Sequence, residues 1–216
     1  MKNVILFLIC VLFGFSASAQ LSPPYWDDVQ AIKRYDKMYQ APEHPILFVG
    51  SSSIRKWDGL QMAFGDYNVL NRGIGGAVFA DITFYLNDIV FPYKPRQIVI
   101  YVENDLPDET ATAEIILERF VKLYSAIRVK LPDVPITYIS MKPSPSRDKY
   151  QQKAKDANRL IKDFLAKESN TSFIDVFSPM MKDGKSRPEL FVSDMLHMNS
   201  QGYAIWEEAV RPYLLK

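Results

Sequence analysis

Short apolar runs that alternate with amphipathic helical segments constrain the fold of this chain more than any other feature of its sequence. A short continuous apolar run predicts a parallel strand buried on both faces, and apolar residues three or four positions apart predict a helix packed on a sheet. The predicted strands cover residues 46–50, 66–71, 97–102, 136–141 and 172–176. The predicted helices lie within residues 23–40, 79–89, 108–130, 148–167 and 200–215. This alternation predicts an α/β fold with a parallel sheet that helices cover on both faces.

The first 19 residues are typical of a secretory signal peptide. Lys2 supplies a positive start, residues 4–15 form an apolar centre, and Ala17-Ser18-Ala19 is a small-residue cleavage site. An N-terminal anchor that is not cleaved is the alternative interpretation. We expect a secreted or periplasmic protein whose mature chain, residues 20–216, forms a single domain without stable insertion in a membrane.

Charge and cysteine content narrow the range of partners. The chain has 26 Lys and Arg against 25 Asp and Glu, and loss of Lys2 with the signal peptide balances the two signs. A mature chain without basic excess is not expected to bind nucleic acid or an anionic membrane surface. The single cysteine, Cys10, also lies in the predicted signal peptide, so neither disulfides nor thiol chemistry are expected.

The first predicted strand ends in a serine cluster. Ile46-Leu47-Phe48-Val49 is followed by Gly50, which lets the backbone turn sharply, and then by Ser51, Ser52 and Ser53. Open α/β sheets bind ligands beyond the carboxyl ends of their strands, which is where these hydroxyls would lie. A nucleophilic serine and an ordinary serine-rich loop both fit this stretch.

Other polar residues also follow predicted strands, so that one crevice at the carboxyl edge of the sheet could hold them together. The candidate site residues are Ser52, Gly76, Asn104, Asp194 and His197. Helix packing alone does not require this coincidence.

The residue types fit acyl-transfer chemistry. A serine hydroxyl needs a nearby base, and an imidazole is the usual one at neutral pH. The chain has 2 histidines, and His44 precedes the first strand at the amino edge of the sheet, so the base is His197 or there is none. Asp194 lies three residues before His197, which in a helical turn puts both side chains on one face. The alternative is that Asp194 caps a turn and that His197 is an ordinary surface residue.

A developing oxyanion needs fixed donors, and the backbone N–H of Gly76 and the side-chain amide of Asn104 are the candidates. Gly73-Ile74-Gly75-Gly76 could instead be a phosphate-binding or simply a tight turn, and Asn104-Asp105 could be a turn signal. A dinucleotide fingerprint is not present, because Val78 stands where the third small residue should be. Two distant histidines and no mature cysteine make a catalytic metal unexpected, and we expect no cofactor.

In this order, the motifs resemble the four blocks of the SGNH (GDSL-type) hydrolases, and the match spans residues 46–206. The blocks are Gly50-Ser51-Ser52, Asn71-Arg72-Gly73-Ile74-Gly75-Gly76, Val102-Glu103-Asn104-Asp105 and Asp194-Met195-Leu196-His197. The sequence is most similar to the branch related to platelet-activating-factor acetylhydrolase. This resemblance implies a flavodoxin-like three-layer α/β/α sandwich with a five-stranded parallel sheet. It also implies a nucleophile at Ser52 and oxyanion donors at Gly76 and Asn104.

Two positions depart from the family pattern. Ser51 replaces the usual Asp, and Val102 stands where a Gly is expected before Asn104, which could displace the Asn104 amide. We expect a serine esterase with a Ser52-His197-Asp194 triad that acts on small acyl esters, for example acetyl groups on carbohydrates. A lysophospholipase-type lipid esterase, a non-catalytic binding protein on the same fold and a nucleotide-binding doubly wound domain are the alternatives.

Overall fold

The computed structural model describes residues 22–216, so the predicted signal peptide lies outside the described residues. The strands of the main sheet are β1 (Ile46–Gly50), β2 (Val69–Gly73), β3 (Gln97–Tyr101), β4 (Ile136–Ile139) and β5 (Thr171–Ile174). The helices are α1 (Trp26–Met38), α2 (Ser52–Arg55), α3 (Leu60–Ala63), α4 (Phe79–Phe84), α5 (Leu86–Ile89), α6 (Ala113–Lys130), α7 (Gln151–Leu165) and α8 (Ser200–Val210).

The sheet has the order β2-β1-β3-β4-β5, and every neighbouring pair is parallel. In the register, Gly50 lies opposite Gly73 on one side and Tyr101 on the other. The chain runs outward from β1 to β2 and then returns to β3, so the direction of winding reverses between β1 and β3. Open sheets of this kind bind ligands at that point. The predicted parallel sheet is therefore confirmed, and its crevice lies beyond Gly50 and Tyr101.

Alternate residues of each central strand pack on opposite faces of the sheet, as expected for a buried parallel strand. Leu47 and Val49 belong to the core beneath α1, α4, α6 and α7. Ile46 and Phe48 belong to the second core, which contains Trp57 and residues of α8. Because every residue of β1 and β3 is buried, helices cover both faces, and the three-layer α/β/α sandwich is confirmed.

Several predicted boundaries were wrong. The second strand begins at Val69 rather than at residue 66, because residues 65–67 form a 3-10 turn before Val69 pairs with Ile46. The helix predicted from residue 108 begins at Ala113, since the Thr112 hydroxyl accepts the N–H of Ile115 and caps the helix there. The segment 79–89 forms two short helices instead of one. A hairpin of β6 (Met181–Lys182) and β7 (Lys185–Ser186) was not predicted.

Candidate active site

The turn after β1 places a serine at the edge of the sheet. Gly50 has a φ of +148°, and a Cβ at this position would lie 1.8 Å from the carbonyl oxygen of Tyr101, so only glycine fits. The next N–H, that of Ser51, donates to the same carbonyl oxygen at 3.0 Å. Ser52 then opens α2 and is 8% exposed, against 0% for Ser51 and 1% for Ser53. Of the three serines, Ser52 is therefore the most exposed to solvent.

The structure brings Ser52 together with the two candidates from the end of the chain. Ser52 Oγ lies 3.0 Å from Nε2 of His197, and Nδ1 of the same ring lies 2.6 Å from Oδ2 of Asp194. These contacts join residues 145 positions apart in the sequence. When Nδ1–H donates to the carboxylate, Nε2 is the free acceptor for the serine hydroxyl.

The loop that carries Asp194 and His197 differs from the predicted helical turn. Met195 between them has a φ of +55°, in the left-handed region, so the loop is not helical. The carboxylate itself organises the turn, because Asp194 Oδ1 accepts the N–H groups of Leu196 and His197, each at 2.9 Å. The interpretation that Asp194 caps a turn is thus correct as well, and it is compatible with the contact to the imidazole.

These hydrogen bonds keep Asp194 ionised. Partial burial raises the pKa of Asp194, but hydrogen bonds from the His197 ring and from two backbone N–H groups lower it more, so the pKa lies well below its usual range. The carboxylate is consequently a permanent acceptor at neutral pH, and it fixes the orientation and tautomer of the His197 ring.

Residues after β3 hold the loop that follows β2, residues 74–78, which we call the glycine loop. Asn104 Nδ2 donates to the carbonyl oxygen of Ala77 at 3.2 Å, and Asp105 Oδ2 accepts the N–H of Phe79 at 3.1 Å. Between these anchors and β2, Gly76 has a φ of +88°, and its N–H has no hydrogen-bond partner among residues 22–216. The two predicted oxyanion donors therefore lie on adjacent loops that are hydrogen-bonded to each other. Val102 does not keep the Asn104 side chain away from the loop that carries Gly76.

A buried ion pair lies directly beside Asn104. Lys142 Nζ and Glu103 Oε1 are 2.8 Å apart, and their side chains are 0% and 1% exposed. Arg147 Nη1 lies 3.5 Å from the same carboxylate oxygen. Burial raises the pKa of Glu103, but the charges of Lys142 and Arg147 outweigh this effect, and the pKa lies below its usual value.

His44, the other histidine, does not belong to the Ser52–His197–Asp194 site. His44 hydrogen-bonds through Nδ1 to the carbonyl oxygen of Lys94 at 3.0 Å, before β1, at the amino edge of the sheet. Within residues 22–216, no group of three or more His, Cys, Asp and Glu side chains is arranged to hold a metal ion. In the same range, no helix has both the length and the apolar character that a membrane crossing requires.

A family model described as GDSL-like lipase/acylhydrolase matches residues 45–205, about three quarters of the chain. The chain belongs to this family. It is therefore a hydrolase of the acylhydrolase and esterase class, which acts on ester bonds. All four blocks that suggested the family from the sequence lie within the matched region. A search of curated proteins found no match.

Solved structures with the same fold include other GDSL-type proteins. A protein from Streptococcus pneumonia named for platelet activating factor has a TM-score of 0.76 and 22% identity, over 88% of this chain and 92% of that one. A GDSL-like lipase from Bacteroides thetaiotaomicron has a TM-score of 0.73 and 18% identity, over 87% and 97%. An acetyl xylan esterase from Geobacillus stearothermophilus has a TM-score of 0.60 and 20% identity, over 80% and 96%. At these identities the likeness shows the SGNH fold.

Arg147 of this GDSL-like hydrolase also belongs to the site, although no sequence motif indicated it. Its Nη2 donates to Asn104 Oδ1 at 2.7 Å, and its Nη1 donates to the carbonyl oxygen of Glu103 at 3.1 Å. The loop of residues 142–147 follows β4 at the carboxyl edge of the sheet, like the residues that were recognised. That position was the available signal, but the loop matched none of the four family blocks.

Proposed function

We propose that this acylhydrolase is a serine esterase that uses Ser52 as nucleophile, His197 as general base and acid, and Asp194 as the residue that orients the imidazole. The observation that carries the proposal is the chain of contacts from Ser52 Oγ to Nε2 at 3.0 Å and from Nδ1 to the carboxylate at 2.6 Å. The first distance is within the range over which a base can take a proton from a hydroxyl. The second is that of a hydrogen bond that holds the imidazole in place without moving a proton to the carboxylate.

In the first half of the proposed reaction, Ser52 Oγ attacks the ester carbonyl carbon while His197 Nε2 takes the hydroxyl proton. The carbonyl oxygen becomes an oxyanion, which the N–H of Gly76 and the amide of Asn104 stabilise. The tetrahedral intermediate collapses by breaking the bond to the alcohol oxygen, and His197 gives its proton to that oxygen. The products are a free alcohol and an acyl-Ser52 ester.

In the second half, water replaces the alcohol. The water oxygen attacks the acyl carbon while His197 takes a proton from the water. The same two donors stabilise the oxyanion that forms. Collapse of this intermediate breaks the bond to Ser52 Oγ, which recovers its proton from His197. The ionised Asp194 stabilises the imidazolium that forms in each step, and no cofactor enters the scheme.

For the substrate, we infer esters with small acyl groups, such as acetyl groups on carbohydrates. The wall beside the glycine loop is polar. The guanidinium of Arg55 lies against Gly75 and pairs with Asp28 at 3.2 Å, and the hydroxyl of Tyr25 lies 3.2 Å from the Cβ position of Gly76. Planar charged groups and a phenol next to the reacting position suit a hydroxyl-rich leaving group. Among proteins of the same fold, one is an acetyl xylan esterase, which supports this inference.

A second candidate is a lipid ester with a longer acyl chain, as in lysophospholipids. Val192 and Met195, on the loop that carries Asp194, are 41% and 40% exposed. Exposed apolar side chains beside a reactive centre suit an acyl chain or a lipid surface. They belong to the loop after β5, whereas the polar wall comes from residues 25–28, Arg55 and the glycine loop.

The decisive experiment compares hydrolysis of p-nitrophenyl acetate and butyrate by the wild type, Ser52→Ala and Ser53→Ala. Loss of nucleophilic attack should lower kcat of Ser52→Ala by more than about 10³-fold. Ser53→Ala is the matched control, because this neighbouring hydroxyl is buried without a hydrogen-bond partner among residues 22–216 and should be dispensable. A fluorophosphonate probe should label the wild type and the control but not Ser52→Ala. Full activity of Ser52→Ala would overturn the mechanism, and an unlabelled, inactive wild type would favour a non-catalytic binding protein.

Substrate class is tested separately on the active enzyme. Acetylated xylo-oligosaccharides and a lysophospholipid are compared by kcat/KM, and Arg55→Ala is tested on both. The carbohydrate proposal expects a preference for the acetylated sugar that weakens in Arg55→Ala. A preference for the lysophospholipid that is lost in Met195→Ser would favour the second candidate instead.

We also propose that the protein is exported and cleaved after Ala19. N-terminal sequencing of the protein recovered from the periplasm or medium of an expressing bacterium tests this proposal. A mature chain that begins at Gln20 is the expected result, and an intact N-terminus on a membrane-bound protein would show an uncleaved anchor.

A further inference from the structure

We propose that Arg147 is a positioning residue that holds the Asn104 amide in the orientation needed to bind the oxyanion. The inference rests on the proposed function, in which Asn104 supplies one of the oxyanion donors. Its starting point is the hydrogen bond from Arg147 Nη2 to Asn104 Oδ1, which at 2.7 Å is short and charge-assisted.

An asparagine amide ends in an NH₂ group and a carbonyl oxygen, and only the NH₂ group can stabilise a negative charge. The NH₂ group donates and the carbonyl oxygen accepts, so a rotation of 180° would turn an acceptor towards the oxyanion. Rotation must therefore be prevented if Asn104 is to act as a donor in every turnover. A side chain held by a single neutral hydrogen bond is only weakly restrained.

Two partners of opposite character determine the orientation of Asn104. The carbonyl oxygen of Ala77 can only accept, and it takes one hydrogen of Nδ2 at 3.2 Å. The guanidinium of Arg147 can only donate, and it donates to Oδ1 of Asn104 at 2.7 Å. In the rotated state, two donors would face each other at Arg147 and two acceptors at Ala77. The observed orientation satisfies both partners and leaves the second hydrogen of Nδ2 for the oxyanion.

Arg147 is itself held rigidly enough to impose this orientation. Its side chain is 14% exposed, and its Nη1 donates to the carbonyl oxygen of Glu103 at 3.1 Å. The 3-10 turn of residues 145–150 that carries it is tied to the loop with the proposed base, because the N–H of Ser146 donates to the carbonyl oxygen of Met195 at 3.1 Å. Arg147 thus connects the Asn104 side of the site to the turn that carries Asp194 and His197.

The charge of Arg147 contributes as well as its shape. A guanidinium that donates to the amide oxygen polarises the amide and makes its N–H hydrogens better donors. Arg147 places its positive charge directly on the Asn104 amide oxygen, whereas Lys142 pairs with Glu103. Such a charge favours the state in which negative charge develops on the substrate oxygen. The expected effect is therefore on kcat and not on ground-state binding.

A double-mutant cycle of Arg147→Ala and Asn104→Ala tests the inference, with p-nitrophenyl acetate as substrate. Arg147→Ala should lower kcat by about 10- to 100-fold with KM within about two-fold, as expected for an outer residue that orients a reacting group. Asn104→Ala should lower kcat by about 10²- to 10³-fold. In the Asn104→Ala background, Arg147→Ala should cause no further loss, because it acts through the missing amide. Arg147→Lys keeps the positive charge but loses the planar guanidinium with its fixed N–H donors. Its kcat should lie between those of the wild type and Arg147→Ala.

Lys149→Ala is the matched control, since Lys149 lies on the same turn and its side chain is 66% exposed. It should keep the wild-type kcat. Circular dichroism and thermal denaturation establish that each variant is folded, and if Arg147→Ala does not fold, the cycle is carried out with Arg147→Lys.

The outcomes separate the inference from the function on which it rests. A full kcat for Asn104→Ala would overturn the oxyanion assignment itself. A slow Asn104→Ala in which removal of Arg147 still lowers kcat by the original factor would overturn only the positioning role. So would an effect of Arg147→Ala confined to KM.

Discussion

The buried pair Glu103–Lys142 gives the sharpest stability prediction, because both side chains are almost completely removed from solvent at 1% and 0% exposure. Removal of one partner leaves a buried charge without compensation, which costs about 3–5 kcal/mol. Lys142→Met should lie near the lower end, since Arg147 at 3.5 Å still faces Glu103. Glu103→Gln should lie near the upper end, because Lys142 has no other ion-pair partner among residues 22–216.

Urea and thermal denaturation measure these effects. In a domain of this size, 1 kcal/mol shifts Tm by about 2–4 °C, so each single replacement should lower Tm by about 6–20 °C. Lys122→Met is the matched control, because Lys122 and Glu118 form an exposed pair with 69% and 63% of their side chains accessible. Exposed pairs of this kind contribute about 0.3–0.5 kcal/mol. The double variant Glu103→Gln/Lys142→Met should lose less stability than the two single losses together.

The effect of Glu103 should also depend on pH in a defined direction. Burial raises the pKa of this carboxyl, but Lys142 and Arg147 hold it below its usual value of 4.5 in the folded protein. The stabilisation by the ionised form is therefore complete above the unfolded pKa and is lost as the pH falls through the folded pKa. The stability difference between wild type and Glu103→Gln should shrink below about pH 4. A Lys142→Met variant as stable as Lys122→Met, or a Glu103→Gln effect independent of pH, would refute the reasoning.

Three further predictions concern the loops at the carboxyl edge of the sheet. Gly50→Ala should lose more than about 4 kcal/mol in denaturation experiments, because its Cβ would lie 1.8 Å from a strand carbonyl oxygen. Gly59→Ala should be nearly neutral, since its Cβ would meet no atom of residues 22–216 within 4 Å. Gly76→Ala and Gly184→Ala, at φ of +88° and +77°, should share a strain of about 1–2 kcal/mol, but only the former should lower kcat, by about 100-fold. Asp194→Asn should lower kcat about 10⁴-fold, and titration of Asp194 should add no acidic limb to the wild-type pH–rate profile above about pH 5. The reason is that hydrogen bonds to Asp194 outweigh its partial burial and keep its pKa well below the usual range.

The parts of the fold that the sequence predicted well are those buried on both faces. β1 and β3 consist almost entirely of apolar residues, and their predicted limits differ from the observed ones by at most one residue. The edge strand β2 carries polar residues such as Asn71 and Arg72, so its apolar signal is short and its start was misplaced. The hairpin β6–β7 consists of strands of two residues each, which is too short for any periodicity to be visible.

The same physical distinction explains which parts of the site could be predicted. Strand ends and local spacing can both be recognised in the sequence. They place Ser52, Gly76, Asn104 and the Asp194–His197 turn. Arg147 and Lys142 act through partners 43 and 39 residues away, and a charged residue in a loop is indistinguishable in sequence from one in solvent. Glu103 stands between recognised positions of the third block, yet it is paired with Lys142 from the loop after β4. The roles of these three charged residues are thus specified by side-chain contacts between loops, and these contacts exist only once the parallel sheet has brought the loops to one edge.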